Sequence, residues 1–167
     1  HTNDAPSAIT RLIDMGVKPF LVASSIQAVM GQRLIRILCE ECKEPDDNPR
    51  PLYLKLTGIE PADLRDNTIY KAVGCNQCGN TGYRGRKSII EYMPMNTEIR
   101  ELAFKRAPAS QIRRAAIAAG MRTLALDGKI KILHGLTTPE EITRVAQVAA
   151  TSDMEMMAEA GDGDDGF

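Results

Sequence analysis

The chain has 167 residues, of which 43% are hydrophobic and 26% charged, enough for one domain with a sizeable core or one domain plus a small appendage. A net charge of −1, 4% aromatic residues and no Trp exclude both an overall basic field and a stacking platform for nucleic acid. No apolar run approaches the ~20 residues of a membrane-spanning helix, and the first residues carry no signal-like pattern.

The chain opens on His1 rather than Met, in a polar turn sequence, and is expected to be a piece of a longer protein. Asn3 or Asp4 is placed to cap a first helix, with Ile9, Leu12 and Ile13 on one face and Gly16 as its stop. A second helix is predicted from Pro19 to about Met30, with Val22, Ile26 and Val29 as its buried stripe. Arg33–Leu38 is rich in branched apolar residues and predicts a strand. Pro45, Pro49, Pro51 and Pro61 make 40–64 largely loop, with one short helix near Pro61–Leu64. Short strands follow at Thr68–Val73 and Lys87–Met93.

Beyond Met95 the pattern is helical. Ile99 and Leu102 mark one helix; Ile112, Ala115, Ala116 and Ala119 the next, ended by Gly120; Leu126, Ile130 and Leu133 a third, ended by Gly135. Thr138-Pro139-Glu140-Glu141 places Thr at the N-cap, Pro at the first helical position and Glu at the third, a capping box ahead of Ile142, Val145, Ala146 and Ala149. The end of the chain, from Gly161, is acidic, Gly-rich and expected to be disordered.

The four cysteines form two Cys-x-x-Cys pairs, Cys39/Cys42 and Cys75/Cys78. Each such turn aims two sulfurs at one vertex, and two turns supply the four thiolates of a tetrahedral Zn²⁺ site. Gly79 allows the positive φ a zinc knuckle needs, while Cys39-Glu40-Glu41-Cys42 lacks such a glycine. Two disulfides, or a redox dithiol, are the alternatives. No signal peptide supports the first, and no strand–CxxC–helix context the second. Four cysteines around one ion leave no open position, so the metal would be structural. On chemistry alone His1 is a solvated imidazole in a helix-entry turn, and His134 faces the C-terminal dipole of its helix. Arg33 and Arg36 alternate on a strand as a solvated face would. Arg84, Arg86 and Lys87 make the segment beside the cysteines basic, suited to an acidic partner or a phosphate.

His1-Thr2-Asn3-Asp4-Ala5 resembles the His box of the motor ATPases of type II secretion and type IV pilus assembly. Further motifs follow in that family's order. They are Gln32-Arg33-Leu34-Ile35-Arg36 before the first cysteine pair, the second pair with Thr81-Gly82-Tyr83-Arg84-Gly85-Arg86, and a strand glutamate at Glu91. Gly120–Leu124, Asp127-Gly128 and Gly135–Glu141 resemble its C-terminal helices. The resemblance implies an α/β chain: the end of a RecA-like P-loop NTPase core over 1–38, a tetracysteine zinc subdomain over 39–86, a strand and helical bundle over 87–150, and an acidic tail over 151–167. It implies a homo-hexameric motor in the bacterial cytoplasm, peripheral to the inner membrane through a platform protein and cytoplasmic adaptor proteins, with no span of its own and no nucleic acid. His1 would sense the γ-phosphate, with Thr2 and Asp4 orienting it, and Arg33 would contact nucleotide or a neighbouring subunit. ATP and Mg²⁺ belong to the intact protein only. These 167 residues hold no Gly-x-x-x-x-Gly-Lys-Ser/Thr loop, so the chain alone is expected to be inactive. The competing function is a stand-alone zinc-ribbon interaction or nucleic-acid-binding module.

Overall fold

The computed structural model describes Thr2 and residues 4–145. In chain order the elements are α1 (Ala5–Asp14), α2 (Pro19–Ser25), β1 (Ala28–Leu38), β2 (Glu44–Pro45), α3 (Pro51–Leu56), β3 (Tyr70–Lys71), a 3₁₀ turn (Asn76–Cys78), β4 (Tyr83–Pro94), α4 (Thr97–Phe104), α5 (Ala109–Ala118) and α6 (Leu124–Leu133). A last helical stretch, α7, covers 139–145. The result is a mixed α/β chain. β1 pairs with β4, and β2 pairs antiparallel with β3, Glu44 opposite Lys71 and Pro45 opposite Tyr70. The expected acidic tail, and the end of the last predicted helix at Ala146 and Ala149, lie outside the described residues.

Packing divides the chain into two compact units. Among the described residues, the first joins those up to Gly31 with Glu91–Thr123, and the second joins Gln32–Ile90 with 124–145. The two units interleave along the chain, because the helices after β4 pack with partners far away in sequence.

The first unit is mostly helical. Asp4 caps α1, its Oδ1 accepting from the Ser7 N–H at 2.7 Å, and the capped helix turns Ile9 and Ile13 inward. These meet Val22 of α2, Met93 and Met95 at the end of β4, Ile99 of α4 and Ile112 and Ala116 of α5. α2 ends at Ser25, not near Met30: Ile26 is already extended and β1 starts at Ala28. The β-branched Ile26 and Val29 favour the extended chain, and the Met95 N–H bonding the Gln27 carbonyl at 2.9 Å fixes it there. Both residues still pack on this core, from a strand entry rather than a helix face.

In the second unit Ile35 and Ile89, inward residues of β1 and β4, pack with Ile59, Ile69, Leu124, Ile132 and Ile142. Five local expectations need correction. Pro51 opens α3 inside the stretch expected to be loop, because a proline is as much a helix first residue as a breaker, and the helix expected at Pro61–Leu64 is a run of turns. The strand expected over Thr68–Val73 is only Tyr70–Lys71, while that expected over Lys87–Met93 extends to Tyr83–Pro94. The fully buried positions of α6 are Leu124, Gly128 and Ile132, a strict spacing of four, and Leu126 is exposed. Thr138 does cap α7, accepting from the Glu141 N–H at 3.2 Å. Among the described residues no helix is long and apolar enough to cross a membrane.

Candidate metal centre

The first cysteine pair leaves the end of β1, and the second sits on the 3₁₀ turn just before β4. Because β1 and β4 are neighbours in one sheet, their ends carry the two turns to one place. The Cys39 N–H bonds the Gly82 carbonyl at 2.9 Å and fixes the register there. The Cys42 and Lys43 N–H groups fold back on the Cys39 carbonyl, and the Cys78 and Asn80 N–H groups on the Cys75 carbonyl. Two tight turns of the same design therefore face each other. The second carries two glycines at positive φ: Gly79, with φ +60° and open space around it, and Gly74, with φ +116° and no room for a Cβ, which would lie 2.8 Å from the Asn80 carbonyl oxygen.

The four Sγ atoms all lie within 4.8 Å of one another. Three of the separations are 3.9 Å for Cys39–Cys75, 3.9 Å for Cys42–Cys78 and 3.8 Å for Cys75–Cys78. A tetrahedral Zn²⁺ with Zn–S bonds of about 2.3 Å places its sulfurs about 3.8 Å apart. A disulfide needs about 2.05 Å, and all four cysteines are free thiols. The donor set and its spacing fit a four-coordinate zinc ion. Backbone N–H groups surround the sulfurs as they would a thiolate cluster. Gly74 donates to Cys42 at 3.3 Å, and Cys75 and Gly82 donate to Cys78 at 3.2 Å each. Burial opposes ionisation of Cys78, but these two N–H groups and the Cys75 and Cys42 thiols outweigh it and lower its pKa to about 6. Burial pushes Cys42 up to about 12 against the Gly74 N–H, with the neighbouring thiols adding to the rise. One thiolate is thus favoured before any metal arrives.

The remaining sequence-derived site residues are not in this cluster. Arg33 is half-buried on β1, its Nη1 donating to the Gln32 carbonyl at 3.3 Å. His1 lies outside the described residues. Arg84, Arg86 and Lys87 are exposed on the first half of β4.

Two charged clusters emerge that spacing did not reveal. Glu141, whose side chain is fully buried, takes hydrogen bonds from Arg36 on β1 and from Arg144 on α7. Arg36 also stacks on Tyr83 at 4.2 Å, and the Tyr83 hydroxyl meets Thr138 Oγ1 at 2.9 Å. This network ties the base of the cysteine turns to α7. In the other unit, Asp4, Glu91 and Arg113 gather at the start of α1. The sequence signal for both is a charged residue at an inward strand position or helix cap.

The family's sequence model, described as "Type II/IV secretion system protein", matches residues 1–144. The chain belongs to this family. It is 42% identical over 142 residues to the type IV pilus assembly ATPase PilB of Myxococcus xanthus, covering 85% of this chain and 25% of that protein. It is 43% identical to the PilB of Thermus thermophilus, again over 85% of this chain but 16% of the relative. It is 44% identical over 149 residues to the type II secretion system protein HxcR of Pseudomonas aeruginosa, covering 89% and 28%. The chain thus spans little more than a quarter of these relatives at most. Because the family match runs far beyond the cysteine segment, a stand-alone zinc-ribbon module is not the favoured reading.

Proposed function

We propose that this chain works within a motor ATPase that powers type II protein secretion or type IV pilus assembly. The observation that carries the reading is identity of 42–44%, over 85–89% of the chain, to relatives named for those two machines. The fold the reading assigns is the end of a RecA-like core over 1–38, a tetracysteine zinc subdomain over 39–86, a strand and helical bundle over 87–150 and an acidic tail over 151–167. In the assembled homo-hexamer His1 senses the γ-phosphate and Arg33 reaches nucleotide or the neighbouring subunit. The machine sits in the cytoplasm against the inner membrane, held by a platform protein and adaptor proteins.

Cys39, Cys42, Cys75 and Cys78 hold a Zn²⁺ ion that stays closed to substrate and contributes folding free energy to a segment with little core of its own. No phosphate-cradling Gly-x-x-x-x-Gly-Lys-Ser/Thr loop occurs in the 167 residues, so ATP is bound through other residues of the intact protein. The test is genetic and biochemical. Deleting the gene in the bacterium that encodes it abolishes secretion through the type II pathway or removes surface pili, and His1→Ala fails to restore either. A deletion strain that secretes and piliates normally would sink the proposal. The purified 167-residue chain, assayed alone, hydrolyses no ATP.

A further inference from the structure

Residues 135–138, between α6 and α7, are each bonded to the frame of the cysteine cluster. The Gly135 carbonyl accepts from Lys43 Nζ at 3.2 Å, and the Leu136 carbonyl from the Leu38 N–H at 2.9 Å. Thr137 Oγ1 donates to the Arg36 carbonyl at 2.9 Å, and Thr138 Oγ1 meets the Tyr83 hydroxyl at 2.9 Å. Leu38 precedes Cys39, Lys43 follows Cys42, and Tyr83 follows Gly82, whose N–H donates to Cys78. Three of these bonds therefore reach the first cysteine turn and the strand leading into it. The fourth reaches the strand that leaves the second turn. Close approach is built in: at Gly135, with φ +66°, a Cβ would lie 2.9 Å from Tyr70 Cε2.

Thr137 and Thr138 are 0% and 2% exposed, so neither hydroxyl can exchange its partner for water in place. A buried hydroxyl left unpaired bears its full desolvation cost, so this strap is either seated or lifted away. Hydrogen bonds weaken steeply with poor geometry, so the strap seats only when the two cysteine turns stand at one separation. The Cys39 N–H on the Gly82 carbonyl and the Gly74 N–H on the Cys42 sulfur cross between the turns. Four metal–sulfur bonds would fix that separation far more firmly. Thr138 also caps α7 through the Glu141 N–H at 3.2 Å, so the seat of the strap and the start of α7 are one structure.

We propose that residues 135–138 are a zinc-dependent latch, which seats α7 against the cysteine cluster while the metal holds the two turns together and releases it when the metal leaves. The inference rests on the zinc assigned above to the four cysteines. Coupling of this kind is reciprocal: the metal stabilises the seated strap, and the seated strap tightens the hold on the metal.

The test is amide hydrogen exchange on the purified 167-residue chain, zinc-loaded and after EDTA, with zinc content followed by elemental analysis. The Leu38 N–H reports the strap at the first turn, and the Glu141 N–H reports it at the start of α7. Both exchange about tenfold faster or more once zinc is removed. The Met121 N–H, bonded to the Ala116 carbonyl in the other unit, keeps its rate. Should the metal-free second unit open as a whole, two variants at saturating zinc decide. Lys43→Met frees Gly135, and Tyr83→Phe frees Thr138. Each speeds exchange at both reporters, because the strap lifts as one piece, and each weakens zinc binding about tenfold in competition with a chelating dye. Lys131→Met, which removes a pair with Asp127 on α6, does neither. Reporters that keep their zinc-loaded rates in EDTA, or variants that act only at their own end, overturn the latch and leave the zinc site standing. A chain that takes up no zinc overturns the zinc assignment itself, and the latch with it.

Discussion

Arg36 and Glu141, 105 residues apart in sequence, are joined by three hydrogen bonds: Arg36 donates from its backbone N at 2.9 Å, from Nε at 2.9 Å and from Nη2 at 2.7 Å. Arg144 adds two more from the other side of the same carboxylate, at 3.0 and 2.7 Å. The Glu141 side chain has no exposed surface, whereas those of Arg36 and Arg144 are 45% and 59% exposed. The carboxylate is the buried hub, and the two guanidinium groups are its solvent-facing covers.

This asymmetry ranks three substitutions. Glu141→Ala removes the hub and the acceptor of the Arg36 N–H, and is expected to cost about 2–3 kcal/mol, below the 3–5 of a fully buried pair because both arginines can turn to water. Arg144→Ala is expected to cost about 0.5 kcal/mol, as an exposed partner of a carboxylate that keeps its other bonds. Arg36→Ala falls between, since it also loses the stack on Tyr83. Urea unfolding of the three variants checks the order.

The same carboxylate sets an acid dependence. Burial acts to raise the Glu141 pKa, but the hydrogen bonds from Arg144 and Arg36 outweigh it and hold the group at about 2, against an ordinary 4.5. The folded pKa lies below the unfolded one, so between them the unfolded chain binds more protons. The stabilisation is complete above about pH 4.5 and is lost as the pH falls towards 2. Unfolding free energies of wild type and Glu141→Gln, measured at matched pH, should differ by a constant above pH 5 and converge below pH 4. A difference that stays constant down to pH 2.5 would refute the assignment.

The cysteine cluster makes a compositional prediction. The purified chain should carry one zinc per molecule by elemental analysis, with its four thiols slow to react until a strong chelator is added. Removing the metal should then expose all four thiols and loosen the second unit, because metal binding and folding are one equilibrium here. Cys42→Ser or Cys78→Ser should abolish stoichiometric zinc. Four thiols that stay unreactive in excess chelator would show that burial, not metal, protects them.

Within the cluster, two glycines should differ. At Gly79 a new Cβ meets nothing within 4 Å, so Gly79→Ala carries only the left-handed backbone penalty of about 1 kcal/mol. At Gly74 the Cβ would press on the Asn80 carbonyl, and the Gly74 N–H that donates to Cys42 would move with it. Gly74→Ala should therefore weaken zinc retention in a competition assay with a chelating dye, while Gly79→Ala retains zinc nearly as wild type.

Much of this architecture is legible in local patterns. The cap at Asp4, the helix over Ile112–Ala116 and the Thr138 cap rest on interactions within four residues of chain, and all appear where the sequence puts them. The two cysteine pairs also meet, as their spacing suggests, but it is the pairing of β1 with β4 that brings them together. The boundary between α2 and β1 is not legible, because Ile26 and Val29 suit a helix stripe and a strand equally, and Met95, far along the chain, decides. Glu141 looks like half of a capping box, yet its carboxylate goes to Arg36, a choice made by tertiary contact. Glu91 could be read as a strand glutamate, but its bond to Ala5, 86 residues away, could not.

The shifted face of α6 provides the last expectation. Gly128 of α6 faces Ile142 of α7, and a Cβ there would come within 2.7 Å of Ile142 Cγ2 and 3.0 Å of its Cδ1. Ile142 is completely buried, so it cannot swing aside. Gly128→Ala gains up to about 1 kcal/mol of helix propensity, but overpacking of this kind costs about 1–3 kcal/mol, and the net change should be destabilising. Ile142→Ala alone should cost about 2–5 kcal/mol through the cavity it leaves. Combined, the two should cost less than the sum of the singles, because the methyl at 128 enters the space vacated at 142. Thermal melts of the four proteins decide it: strictly additive losses would mean that the contact between Gly128 and Ile142 does not set the spacing of the two helices.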